Sequence, residues 1–131
     1  MAEMSNYLEN ALINATLRNT AYTSVATIYV ALYTADPTDA DLIANEVSTS
    51  GTAYARTAVT FGAPSNGVSL NSGDVTFPTC TAAWGTVTHV GLRDASTLGN
   101  LLYHSPLDDS KSVGIGDIFK ITTGNLSVTL A

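Results

Sequence analysis

The rhythm of apolar and polar positions changes once along this chain. In residues 5–19, Leu8, Leu12 and Ala15 fall at i, i+4 and i+7, and Ala11 widens the stripe. That spacing predicts one amphipathic N-terminal helix. Ser5 offers an N-cap hydroxyl, Glu9 lies near the first turn, and Arg18 suits the negative C-terminal end. Four turns with so narrow a stripe are marginal alone, so the helix has to dock on a sheet or on another subunit.

From residue 27 onward the period is two. Residues 27–34 are rich in β-formers, with Ile28, Val30 and Leu32 on one side and Tyr29, Ala31 and Tyr33 on the other. Both sides are apolar, which predicts a strand covered on both faces. Asp36-Pro37 stops it as a turn. Residues 53–61 alternate again, with Ala55, Val59 and Phe61 expected inward and Arg56, Ala58 and Thr60 outward. Short strands are expected at 68–70 and 74–77.

A long hairpin then dominates. Its first arm is 83–94, its turn is 94–100, and its return carries Leu101, Leu102, Tyr103 and His104. Ser105-Pro106-Leu107-Asp108-Asp109 has turn composition, 112–115 a possible edge, and 118–121 and 126–130 strand composition. The last of these is regular enough to be tied into a sheet rather than left as a tail. One helix followed by many short strands predicts a single domain over 1–131 that is mainly β. The expected form is an antiparallel β-sandwich or jelly-roll-like barrel over 27–131, with one N-terminal α-helix.

Charge changes the picture mainly by exclusion. The net charge is −6, and the five basic residues, Arg18, Arg56, Arg93, Lys111 and Lys120, are scattered. No basic stripe exists for nucleic acid and no polybasic patch for an anionic membrane. No apolar run approaches the ~20 residues of a membrane span, and no secretory leader is seen, so a soluble protein made in the cytoplasm is expected. Cys80 is alone, which excludes an intramolecular disulfide and suggests a small buried side chain. Charged residues are only 12% of the chain, and such a neutral, hydroxyl-rich surface suits a domain covered by neighbours.

Candidate chemistry is thin. Asp36, Asp39, Asp41 and Glu46 lack the fixed spacing and central glycine of a calcium loop, so a solvated loop is expected. His89 and His104 can approach across the hairpin near Asp94, but no nucleophile motif accompanies them. His89 is expected on the face of Val87 and Arg93. Metal held between subunits by these histidines is the weaker reading. Asp108 and Asp109 are expected to diverge, and Asp94 and Asp117 to cap turns. No catalytic, cofactor or metal residue is assigned, and no enzyme activity is expected. The large side chains Tyr29, Tyr33, Trp84 and Tyr103, with Leu8 and Leu12 of the helix, are the candidate subunit-interface residues.

Several stretches in order carry a resemblance. They are Ser5-Asn6-Tyr7-Leu8-Glu9-Asn10-Ala11-Leu12, then 29–38, 54–63, Val75-Thr76-Phe77-Pro78, 84–91 and Gly99-Asn100-Leu101-Leu102. As a set they resemble a family of small virion structural proteins of tailed bacteriophages, labelled tail-fibre proteins, with capsid decoration or cement proteins among the look-alikes. Cys80 stands where a small residue is usual, and Ser110-Lys111 replaces a Pro-Lys turn. The resemblance implies a virion protein with no catalytic residues to transfer. It also implies a homo-oligomer, a trimer by preference, bound to the major capsid protein or other virion proteins. The short single domain without repeats favours a cement role on the head over a tail or neck fibre. The aromatic residues keep a receptor- or glycan-binding tip in view.

Overall fold

The computed structural model describes residues 2–130. The chain runs through β1 (Glu3–Met4), α1 (Asn6–Leu17), β2 (Ile28–Tyr33), a 3-10 turn (Ile43–Asn45), β3 (Thr57–Val59), β4 (Val68–Leu70), β5 (Val75–Thr76), β6 (Gly85–Arg93), β7 (Leu101–Val113), β8 (Lys120–Ile121) and β9 (Ser127–Thr129). The fold is mainly β with one α-helix, as the pattern predicts. Five strands form an antiparallel sheet in the order β1-β7-β6-β2-β3. Two ribbons, β4 with β9 and β5 with β8, lie over one face of it, making an open sandwich rather than a closed barrel. β9 ties the C-terminal segment into the fold, and β4 and β5, neighbours in sequence, each pair with a C-terminal strand. Among the described residues, no helix is long and apolar enough to cross a membrane.

Ser5 caps α1 as expected. Its Oγ accepts from the Leu8 amide at 3.2 Å and donates to the Leu101 carbonyl of β7, so one buried hydroxyl both starts the helix and fastens it to the sheet. The helix ends at Leu17, two residues before the expected end, because Asn19 turns into the left-handed region and the Arg18 and Thr20 amides both close on the Asn14 carbonyl.

The interior of the sandwich gathers Val30, Leu32, Val87, Val90 and Leu92 from the sheet with Val75, Phe77 and Phe119 from the opposite layer. Aromatic rings set its centre. Trp84 meets Tyr54 edge-on at 5.3 Å, and Phe77 meets Phe119 at 5.7 Å. The Trp84 Nε1–H donates to the Thr52 carbonyl at 2.8 Å, which satisfies the ring's one polar atom. Cys80 is buried here, 1% exposed.

Two irregularities in the hairpin decide which side chains face which way. The β6–β7 register shifts between Val87 and His89 and again between Leu92 and Arg93, where Leu102 is the extra residue. Val87, Val90 and Leu92 therefore all reach the sandwich interior. His89 does not share a face with Val87; the first bulge turns it to the side of Gly91 and Arg93. Gly91 leaves room there, since a Cβ would come within 2.8 Å of the Tyr33 ring and of the Leu101 side chain.

The turn expected at 105–109 is absent. β7 does not reverse there and continues to Val113, but residues 107–110 bulge out of the ladder against Thr88 alone, between the Pro106–His89 and Lys111–Val87 pairs. Proline is tolerated because, among the described residues, β1 pairs with β7 only at Tyr103 and His104 and no strand pairs with Pro106 on that outer side. The strand expected over 53–61 shortens to Thr57–Val59, with Phe61 making an isolated bridge to Asn71.

Candidate functional site

The side of the sheet away from the sandwich interior carries Ala31, Tyr33 and Leu101, closed to solvent, together with Arg93 and His104. α1 and the 34–46 segment cover it. The Thr34 amide bonds the Asn45 carbonyl at 2.9 Å, and the Asn6 amide bonds the Asp39 carbonyl at 2.9 Å.

Arg93 is 0% exposed at the end of β6. Its Nη1 donates to Asp41 Oδ1 at 2.6 Å and its Nη2 to Asp41 Oδ2 at 2.9 Å, a bidentate pair. Nη1 also donates to the Tyr33 hydroxyl at 3.0 Å, and Nη2 to the Gly99 carbonyl at 3.2 Å. Burial opposes the charge, but the bonds to Asp41 and Tyr33 outweigh it and hold the guanidinium firmly protonated. Asp41 in turn accepts from the Leu101 amide at 3.2 Å. Burial pushes the Tyr33 phenol up, with Arg93 pulling the other way.

A second arginine repeats the device. Arg56 Nε and Nη2 grip Glu46 at 2.9 and 2.8 Å, while Nη1 donates to the Ala95 and Leu98 carbonyls at 2.9 and 2.8 Å. Its side chain is 5% exposed, so the outward orientation expected from alternation is corrected: Glu46 and two turn carbonyls draw it in. Glu46 also accepts from the Tyr54 hydroxyl at 2.6 Å, and burial, reinforced by that carboxylate, drives the Tyr54 phenol far up.

The 36–46 loop is thus not simply solvated, as its acids alone suggest. Asp41, Glu46 and Asp39 are partners of Arg93, Arg56 and His104. The two arginines clamp this loop to the hairpin turn at 94–100. Asp94 closes the turn internally, accepting from the Asn100 amide at 2.7 Å, and Gly99 has no room for a Cβ, which would lie 2.5 Å from Asp94 Oδ1. The clamped loops hold up three exposed apolar side chains, Leu98 at 75%, Leu42 at 46% and Ile43 at 45%. Leu98 holds a left-handed φ of 54°, a conformation leucine adopts at a cost of roughly 1 kcal/mol.

The candidate interface residues separate into two groups. Leu8, Tyr33 and Trp84 are buried within their own chain and hold the fold together. Leu12, Tyr29 and Tyr103 are half-buried. β2 sits inside the sheet between β6 and β3, so it offers no free edge, and only Tyr29 of its second face remains partly open. The helix is different. Ile13 and Leu17, one turn apart on the side opposite Leu8, are 53% and 79% exposed, and Tyr7 is 43% exposed. The sequence reading weighed only the inward stripe and missed this outer pair, although its i, i+4 spacing was visible. Tyr103 lies in the floor of a shallow apolar hollow of about 250 Å³ with Ile28, Phe61, Leu92 and Val128, and burial raises its phenol.

The two histidines have separate partners and do not pair with each other or with Asp94. His89 hydrogen-bonds Thr88 Oγ1 at 2.8 Å, and His104 lies opposite Gly91 with its Nε2 2.7 Å from Asp39 Oδ1. Asp108 and Asp109 are successive exposed residues in the bulged stretch of β7. Asp117 caps the Gly114 amide at 2.8 Å.

Two charge clamps, an exposed apolar pair on the outer side of α1 and a raised apolar turn are the features of this surface. No curated protein matches the chain. Residues 3–129 match the model of a family described as podophage GP4 fiber I protein gp80. With nearly its whole length covered, the chain belongs to this family of phage fibre proteins and is a structural component of the virion.

Proposed function

We propose that the chain is a non-enzymatic attachment module of the phage particle. It associates with copies of itself, as a trimer by preference, and with other virion proteins. The observation that carries this reading is the fibre-family match over residues 3–129. The surface supports it physically. The chain exposes 7234 Å², about a tenth more than the roughly 6,600 Å² of a monomer of this mass. Leu17 and Ile13 on α1 and Leu98 on the clamped turn are, with Ile115 and Ile118, its most accessible large apolar groups among the described residues. Symmetric copies then multiply modest single contacts through avidity.

A fibre-type attachment to the tail or neck follows the family most directly. The cement role on the head rests on a separate observation: one small sandwich, with no coiled coil or repeat among the described residues, has the build of a surface clip rather than a shaft. A glycan-binding tip has less behind it, because Trp84 and Tyr33 are closed inside the fold and give sugars no ring to stack on.

A density map of the whole particle separates the readings. A few copies at the tail or neck support the fibre module, and hundreds on the head support the cement. In solution, light scattering on the purified chain should give an oligomer, and Ile13→Asp with Leu17→Asp should give a monomer with an unchanged circular dichroism spectrum. A parent chain that stays monomeric and binds no phage particle would overturn the proposal.

A further inference from the structure

His104 is 3% exposed, and carboxylates approach both of its ring nitrogens. Nε2 lies 2.7 Å from Asp39 Oδ1 and 4.0 Å from Glu3 Oε2, and Nδ1 lies 3.8 Å from Asp36 Oδ1. The donor atoms of Glu3, Asp39 and His104 all fall within 4.8 Å of one another. Three separate segments bring them there. Glu3 stands directly opposite His104 in the β1–β7 register. The backbone of Asp39 is tied to the start of α1 through the Asn6 amide, and Asp36 is held by the Thr38 amide at 2.8 Å.

We propose that Glu3, Asp39 and His104 bind a divalent metal ion of the zinc class, which staples β1 and the 36–46 loop to β7. One imidazole nitrogen and two carboxylate oxygens form a ligand set that zinc accepts, with a water completing four positions. Metal–ligand bonds of about 2.0–2.1 Å in a tetrahedron place neighbouring donors about 3.3 Å apart. The observed separations of 2.7 and 4.0 Å from Nε2 lie on either side of that value. Small movements of Asp39 outward and Glu3 inward close the site. Both are easy, since the Glu3 and Asp39 side chains are 70% and 46% exposed while His104 is fixed. Asp36 lies on the far side of the ring, its Oδ1 3.8 Å from Nδ1 and too far as it stands to hold the ring by a hydrogen bond.

A plain ion pair between His104 and Asp39 needs no Glu3, and that difference makes the test. The full chain is stripped with chelator and titrated with Zn²⁺, with Mg²⁺ as the comparison, while melting is followed. Saturating Zn²⁺ at a hundredfold excess over Kd should raise Tm by about 5–10 °C. Co²⁺ should give the visible absorption of a four-coordinate site. Glu3→Gln, at an exposed position, should leave the metal-free Tm unchanged and weaken Zn²⁺ binding at least tenfold, as should Asp39→Asn. No Zn²⁺ shift and no Co²⁺ band, or a shift that both variants retain in full, would overturn the proposal.

Discussion

One face of the five-stranded sheet rests on a cluster of fourteen buried apolar residues, and the other on a cluster of three, among the described residues. The second face makes up the difference with charge. Arg93, Asp41 and Tyr33 form a closed network where the first face has Trp84, Phe77 and Tyr54. The two sides are therefore stabilised by forces of different reach. Apolar packing is non-directional and tolerates small shifts, whereas a bidentate pair fixes the angle at which two loops meet. The sandwich side gives the domain its stability, and the clamped side gives the hairpin turn a defined position.

Substitutions on each side should sharpen that contrast. Trp84→Ala, in the aromatic centre, should cost about 3–5 kcal/mol in denaturant unfolding, the largest single loss of the set. Asp41→Asn should cost about 2–3 kcal/mol, less than a fully buried pair because the Asp41 side chain is 26% exposed. Replacing both partners, Arg93→Met with Asp41→Leu, should cost less than Asp41→Asn alone, because no buried charge is left unpaired. If the double variant is the worse of the two, the clamp contributes net stability and the contrast drawn above fails.

The two buried phenols extend the comparison to alkaline pH. The Tyr33 and Tyr54 pKa values are raised in the folded state, both chiefly by burial. A raised tyrosine contributes stability that is fully present below the unfolded pKa near 10 and is lost as pH climbs toward the folded value. Unfolding free energy should therefore be insensitive to these groups below pH 10 and fall above it, and Tyr33→Phe should lessen the fall. The smallest effect belongs to Leu98→Asn. Asparagine accepts the left-handed turn more readily, so melting should show a gain of about 0.5–1 kcal/mol while self-association weakens. A variant that is more stable yet assembles as well as the parent would remove Leu98 from the contact surface.

The helix, β2 and the hairpin were legible because each is written in local spacing. Ser5 and the Leu8–Leu12–Ala15 stripe announce α1, and the alternation of 28–33 announces a strand covered on both sides. The charged side was not legible for the opposite reason. Asp41 and Arg93 are 52 residues apart, and an acid-rich loop beside scattered arginines looks solvated until the sheet folds them together. His89 was assigned to the wrong side because strict alternation cannot foresee a bulge. Residues 105–109 looked like a turn because Ser-Pro and Asp-Asp favour turns locally, but β7 pairs with β6 on both sides of them, at Pro106 and Lys111, so the turn tendency survives only as a bulge.

That extended β7 has a bearing on how copies can meet. Beyond His104 its outer margin has no strand beside it among the described residues, and such a margin invites end-to-end growth into fibrous aggregates. Pro106 withholds an amide there, and Asp108, Asp109 and Lys111 place charge along the same stretch. Stacking of one molecule on the next through backbone pairing is thereby discouraged.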